Sequence, residues 1–194
     1  MRMNVRGALA AALLGVALAV PAGAQSKPTI AIMPTQYFAA EAESAENLTR
    51  GLVRQYEGQG YQVMPMERSR DTFQSMGLSA NQHYADRVAV NFGRQMGADL
   101  VAYPRLLSVG IPISNPDLRK AELLQPAAVA HLRVINVHTG QAIYFRQIAH
   151  DFSVDAPQVA SDFRLPEPVA TATADEVTQM YFQRVAGSRQ EFRR

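Results

Sequence analysis

The chain has 194 residues and no cysteine, and its 19 lysine and arginine residues nearly balance 17 aspartate and glutamate residues. Arg2 and Arg6 lie in a segment that we expect to be removed, which leaves no net charge and none of the cation surplus that nucleic-acid binding requires. Without cysteine we expect no disulfide, no thiol nucleophile, no thiolate metal site and no lipid anchor.

Residues 1–24 have the pattern of a cleaved secretory signal. Arg2 and Arg6 precede the apolar run GALAAALLGVALAV, and Ala22, Gly23 and Ala24 supply the small residues of a cleavage site. The run is shorter than the ~20 apolar residues that span a bilayer, and no later run is long enough. We therefore expect residues 25–194 to form a single α/β domain, which is soluble in the bacterial periplasm or secreted.

The first predicted elements are a strand and a helix. Residues 30–34 form a short apolar run that ends at Pro34, which is the pattern of a buried strand. Ser44 is placed to cap a helix that glycines at positions 58 and 60 would end. The apolar stripe of this helix comprises Ala45, Leu48, Leu52 and Tyr56.

The middle of the chain predicts a strand, a short turn, a helix and another strand. Residues 61–66 favour a strand and residues 72–76 a helical turn. Ser79 and Gln82 have the spacing of a capping box for the next helix, which Gly97 would end. Residues 100–109 then favour a strand. The apolar stripe of the helix comprises Ala85, Val88, Ala89, Phe92 and Met96.

The rest of the chain predicts a hairpin and a final helix. Residues 127–137 and 141–152 would be joined by a turn in which Asn136 caps the backbone and Gly140 is left-handed. Residues 115–117 are typical of the start of a short helix, and Thr173 with Glu176 would cap the final helix. The order of strands and helices predicts an α/β fold, a mixed sheet with helices packed on one or both faces.

The hairpin supplies the candidate functional surface. For a turn of two or four residues, odd-numbered residues of the first strand share a face with even-numbered residues of the second. One face would then be apolar, with Leu132, Val134, Ile143 and Phe145 in the core. The other face is either exposed to solvent or a surface for a partner or an anion. Its five polar or aromatic residues are His131, Arg133, Tyr144, Arg146 and His150.

No stretch has the pattern of a catalytic or metal site. The segment after residue 34 has no glycine with which to cradle a phosphate, so we assign Thr35 to the scaffold. Ser79 lies in GLSAN, which is not the G-x-S-x-G pattern of a nucleophilic serine. The four histidines lack the spacing of paired metal ligands. We expect no catalytic residue, no cofactor and no bound metal.

Four segments together resemble a known group of envelope proteins. IAIMPT, YEGQGYQVMP, GADLVAYPRL and VINVHTGQAI resemble the amino-terminal domain of the periplasmic protein TolB. They are also similar to the curli-secretion protein CsgG and to the penicillin-binding-protein activator LpoB, over residues 28–152. The resemblance implies an anticodon-binding-like α/β sandwich that acts by contact and not by catalysis. It does not extend to the pore-forming hairpins of CsgG or the β-propeller of TolB.

Two functional hypotheses from different classes follow. The leading one is a soluble, non-enzymatic periplasmic module that binds a cell-envelope partner or a second copy of itself, without contact with nucleic acid. The alternative is a small periplasmic hydrolase or ligand-binding enzyme whose site has no recognisable motif.

Overall fold

The computed structural model describes residues 27–40, 42–110, 127–151 and 165–191. The predicted signal, residues 1–24, and the predicted helix start at residues 115–117 lie outside these ranges. Within them, strands and helices are mixed along the chain, as predicted for an α/β fold. In chain order they are β1 (Thr29–Ile32), β2 (Gln36–Ala39), α1 (Ala42–Gly58), β3 (Gln62–Val63), α2 (Met66–Ser75), α3 (Asp86–Met96), β4 (Leu100–Gly110), β5 (Ala127–Asn136), β6 (Ala142–Asp151) and α4 (Glu167–Glu191).

The strands of the described ranges form one mixed sheet in the order β3-β1-β4-β5-β6, and β2 pairs with β4 beyond the end of β1. The pairs β1–β3, β1–β4 and β2–β4 are parallel, whereas β4–β5 and β5–β6 are antiparallel. The antiparallel pairs come from the predicted hairpin and the strand before it. The mixed sheet predicted from the order of elements is therefore confirmed.

Helices pack on both faces of the sheet. On one face α1 and α4 cover a core that includes Ile30, Leu52 and Leu132. On the other face α2 and α3 cover a smaller core that includes Phe92 and Tyr103. Since alternate residues of a strand point to opposite faces, the short apolar strand β1 contributes to both cores, as its uninterrupted apolar run predicts.

The approach of α3 to the sheet depends on one glycine. A Cβ atom at Gly93 would lie 2.5 Å from Cγ2 of Val137 and 3.4 Å from Cβ of Val101. The backbone of α3 therefore packs directly against these two valine side chains, and a side chain at position 93 would require them to move.

The predicted helix starts were wrong at three polar residues. Ser44 lies inside α1, where its buried hydroxyl accepts a hydrogen bond of 2.9 Å from the backbone N–H of Leu165. Ser79 precedes α3 by several residues and donates its hydroxyl to Asn81 Oδ1. Thr173 lies within α4 and donates to the carbonyl of Val169. Each of these hydroxyls forms its hydrogen bond with a group outside the first turn of the predicted helix, so none of them caps that helix.

Two short elements also differ from the prediction. The sequence did not indicate β2, and α2 replaces both the end of a predicted strand and a predicted single turn. By contrast, Gly97 ends α3 with a φ of 68°, and Gly140 closes the hairpin with a φ of 72°. The Asn136 side chain accepts hydrogen bonds from the backbone N–H groups of His138 and Thr139, as predicted.

Candidate partner surface

The five predicted surface residues do not share one face of the hairpin. Close to the turn Ile135 pairs with Ala142, as the predicted parity requires, but the next pair is Val134 with Tyr144. Ile143 is therefore an extra residue, a β-bulge that reverses the parity of all later residues of β6. From that point even-numbered residues of both strands share a face. The prediction of a single polar face was wrong because the sequence pattern does not reveal the bulge.

Tyr144, Arg146 and His150 lie on the face that α4 covers. The buried Tyr144 hydroxyl donates to the carbonyl of Val177 at 2.7 Å, and burial raises the pKa of Tyr144. Arg146 Nη1 lies 2.6 Å from a methionine sulfur of α4, and His150 Nδ1 lies 2.7 Å from Oε2 of Glu176. These three side chains join the helix to the sheet, so they do not form an open surface.

His131 and Arg133 lie on the opposite face, where β5 and β6 extend beyond α3. Arg133 forms an ion pair with Asp86 at the start of α3. Phe145 pairs directly with Arg133 across the strands. Its ring is 57% exposed, packs edge-on against His131 at 4.5 Å and lies 5.2 Å from the Arg133 guanidinium. Phe145 was predicted to be in the core, and the bulge explains why it is not.

Arg105 extends this cluster onto strand β4. It pairs with His131 across the strands, and its guanidinium stacks on the Tyr103 ring at 4.7 Å. Its nitrogens contact His83 Nε2 at 3.3 Å and the Tyr103 hydroxyl at 3.0 Å, and no carboxylate of the described residues forms an ion pair with it. Asp86, at the start of α3, is the acid that pairs with this group of two arginines and two histidines, through Arg133.

The histidines of the cluster are neutral near pH 7. Burial, followed by the nearby Arg105 and Arg133, lowers the pKa of His131 to about 4. The same order of causes lowers the pKa of His83. Within the described ranges, three buried nitrogens of the cluster make no hydrogen bond, namely Arg105 Nε, Arg133 Nε and His131 Nε2. Arg105 and Arg133 together carry two positive charges against the one carboxylate of Asp86, so a carboxylate from another molecule would balance the cluster.

Strand β6 forms an edge of the sheet next to this cluster. Its ten residues pair only with β5, and within the described ranges no strand occupies its other edge. Ile143 is 39% exposed and Met180 of α4 is 49% exposed, and together with Phe145 they line a shallow pocket at this edge. Ile143 was predicted to be in the core, but the bulge turns it outward. We define the partner surface by Arg105, His131, Arg133, Ile143, Phe145 and Met180.

Sequence reasoning found His131 and Arg133 but missed the other contributors to the cluster. Arg105 lies in β4 and His83 and Asp86 lie near the start of α3, all distant in sequence from the hairpin. Alternation along YPRL could have shown that Tyr103 and Arg105 share a face, yet only the pairing of β4 with β5 brings that face to His131.

The described residues contain no group of three or more histidine, aspartate or glutamate side chains that could hold a metal ion. No described helix combines the length and the apolar character needed to cross a bilayer. Thr35, which was assigned to the scaffold, lies at the end of β1 and hydrogen-bonds to Thr49 through its backbone and its hydroxyl.

No protein-family model matches the chain, and no curated protein sequence matches it. Solved structures do. The lipoprotein GNA1162 from Neisseria meningitidis is 13% identical with a TM-score of 0.50, covering 78% of this chain and 99% of that one. The hypothetical protein CT253 from Chlamydia trachomatis is 13% identical with a TM-score of 0.50, covering 80% and 95%. The LpoB C-terminal domain from Salmonella enterica is 17% identical with a TM-score of 0.46, covering 66% and 85%.

At these identities the comparisons establish a fold and leave activity open. The chain is a mixed α/β domain similar to that of GNA1162 and CT253. The sequence resemblance to LpoB has a counterpart among the similar structures, whereas the resemblances to TolB and CsgG stay predictions.

Proposed function

We propose that this chain is a non-enzymatic binding module of the bacterial cell envelope, which holds an acidic, extended segment of a partner protein at the partner surface. The observation that carries the proposal is the exposed ring of Phe145, which lies against the Arg133 guanidinium and beside a strand edge that no described strand occupies. Aromatic and arginine side chains are common anchors of protein interfaces. A free edge offers backbone hydrogen bonds to an added strand.

An acidic partner fits this surface better than a second copy of the chain. Arg105 has no ion-pair partner among the described residues, and Arg133 is paired with Asp86. Two copies that met through this surface would bring these cations towards each other, which is unfavourable. An acidic segment would instead be attracted, and the attraction would weaken as salt rises.

The proposal places the protein in the periplasm or outside the cell, as a soluble single domain without a lipid anchor. It is supported by the signal pattern of residues 1–24 and by the absence of cysteine from the sequence. The expected mature protein begins near Gln25 and is recovered in the soluble periplasmic fraction. Recovery of the intact chain from Met1 in the membrane pellet would contradict this location.

Matched variants test the binding function. Phe145→Ala removes the exposed ring of the partner surface, and Phe38→Ala removes a ring of β2 that is 51% exposed. Arg105→Glu reverses a charge of the cluster, and Arg94→Glu reverses an exposed charge of α3. Each variant is immobilised and incubated with an envelope extract, after its melting temperature has been compared with that of the wild type.

One envelope protein should be retained by the wild type and by both controls. Its retention should fall at least about tenfold with Phe145→Ala and with Arg105→Glu, which corresponds to ~1.4 kcal/mol of binding free energy. Equal losses with the control variants, or no loss with either surface variant, would refute the proposal. A parallel screen for hydrolysis addresses the enzyme hypothesis, and turnover that survives purification to homogeneity would favour that alternative.

A further inference from the structure

A cavity lies at the carboxyl end of β1, and it shares no lining residue with the partner surface. Its volume is about 210 Å³. Most of its walls are apolar, with a few hydroxyl groups, which is the usual composition of a small-molecule site. It is lined by Ile32, Pro34, Thr35, Tyr37, Ala42, Ala45, Glu46, Thr49, Met66, Ser69, Arg70 and Ala80.

The topology explains why a cavity forms there. Strand β1 lies between β3 and β4, and both are parallel to it. The chain reaches β3 through α1 on one face and returns to β4 through α2 and α3 on the other face. The strand order therefore reverses at β1. Crevices at such switch points, outside the carboxyl ends of parallel strands, are where α/β proteins commonly bind ligands.

The hydroxyl groups of the two threonines in the cavity, Thr35 and Thr49, each already donate a hydrogen bond within the protein. Thr49 Oγ1 donates to the carbonyl of Ala45 at 3.0 Å, so it can only accept from Thr35. It accepts from the backbone N–H of Thr35 at 3.0 Å and from the Thr35 hydroxyl at 2.7 Å. Thr35 Oγ1 therefore presents lone pairs to the cavity and no proton.

Ser69 supplies the missing donor. Ser69 is among the residues that line the cavity and is 3% exposed, and its buried hydroxyl makes no hydrogen bond within the described part of the chain. A buried hydroxyl without a partner is unfavourable and is rare in folded proteins. A ligand with a hydroxyl group could accept from Ser69 and donate to a hydroxyl oxygen of the cavity.

The charges of the cavity are already paired. Glu46 Oε1 lies 2.7 Å from Arg70 Nη2 and 3.3 Å from Arg50 Nη1. An anion or a cation in the cavity would have to compete with these ion pairs, whereas a neutral molecule would not. For size, an apolar cavity of about 150 Å³ holds benzene, so this cavity has room for a substituted ring or a short-chain alcohol.

We propose that this cavity binds a small uncharged molecule, of about the size of phenol, with an apolar body and one hydroxyl group held by Ser69. This site is independent of the partner surface, and its test does not depend on the proposed function. Phenol is the probe. Toluene has the same apolar body without the hydroxyl, and benzoate has a charge in its place.

Binding is measured on the purified protein by titration with each probe, following the backbone amide signals in NMR spectra. Ser69→Ala removes the free hydroxyl, and Ser75→Ala is a matched control because this exposed serine of α2 donates to its own helix carbonyl, at Thr72. Melting temperatures show whether each variant is folded. Ala45→Leu fills the cavity and should abolish binding of all probes.

Phenol should shift the amide signals of Thr35, Thr49 and Ser69 and bind at least about tenfold more tightly than toluene or benzoate. Ser69→Ala should remove the preference for phenol over toluene, and Ser75→Ala should retain it. The proposal is overturned if phenol shifts no signal at the cavity, if toluene or benzoate binds equally well, or if the preference survives Ser69→Ala.

Discussion

Replacing Phe145 and Leu132 with alanine, one at a time, measures whether the bulge at Ile143 exists in solution. If the hairpin had the regular parity expected from its sequence, both side chains would lie in the core and both changes would be costly. With the bulge, Leu132 is fully buried under the helices and Phe145 is 57% exposed on the opposite face. The two variants should therefore differ in their free energies of unfolding.

The expected magnitudes follow from burial. Loss of a fully buried leucine costs about 2–5 kcal/mol, because transfer energy is lost and a cavity remains. Complete burial of a large apolar side chain is worth about 1.5–3 kcal/mol, and less than half of Phe145 is buried. Its contacts with His131 and Arg133 add about 0.5–1 kcal/mol at such an exposed site. We expect Phe145→Ala to cost about 1–2 kcal/mol.

Urea unfolding followed by far-ultraviolet circular dichroism gives both values, and it suits a chain that contains no tryptophan. Leu132→Ala should lower the urea midpoint markedly, and Phe145→Ala should lower it only slightly. Equal losses of 3 kcal/mol or more would show that Phe145 is in the core, and both the bulge and the partner surface would then be refuted.

Three further predictions concern other parts of the molecule, all measured by urea unfolding. Tyr144→Phe should cost about 0.5–1.5 kcal/mol because the buried hydrogen bond from its hydroxyl to the carbonyl of Val177 is lost, and an unchanged midpoint would contradict the assignment of this residue to the α4 contact. The pKa of His131 is lowered to about 4 from about 6.5 in the unfolded chain, so the unfolded state binds more protons between these values. The stability that neutral His131 contributes is present above pH 6.5 and falls by at most about 3 kcal/mol as pH drops to 4. His131→Phe should remove that part of the pH dependence, and identical pH profiles would refute it. Gly93→Ala should cost about 1–3 kcal/mol because its Cβ would lie 2.5 Å from a valine methyl carbon, whereas Gly58→Ala, with nothing within 4 Å, should be neutral or stabilising. The reverse order would show that α3 does not pack closely on the sheet.

Local signals in the sequence predicted local structure well. The apolar stripe of α1 predicted the face that packs on the sheet, since Leu48, Leu52 and Tyr56 are all buried. Gly97 and Gly140 predicted a helix end and a turn because both positions need a left-handed backbone. Each of these features depends on a few residues that are close together in the sequence, so a short stretch of sequence is enough to predict it.

The candidate site depends on features that no short window contains. The bulge at Ile143 inserts one residue without any glycine or proline to mark it, and it moves Tyr144 and Arg146 under α4. The cation cluster needs Arg105 from β4 beside His131 from β5, a pairing between distant parts of the chain. Helix starts were misjudged because hydroxyls such as that of Ser44 bind distant backbone groups. The bulge, the cation cluster and the helix starts all depend on contacts between residues that are distant in sequence.

Photo-crosslinking in living cells tests the central claim most directly. A photoreactive phenylalanine analogue is placed at position 145 in one strain and at position 38 in another, since Phe145 and Phe38 are comparably exposed. Position 145 should give one crosslinked adduct with an envelope protein, and Arg105→Glu in the same chain should abolish it. Position 38 should not give that adduct. Identical adducts from both positions, or an adduct at position 145 that contains only this chain, would contradict an acidic envelope partner bound at this surface.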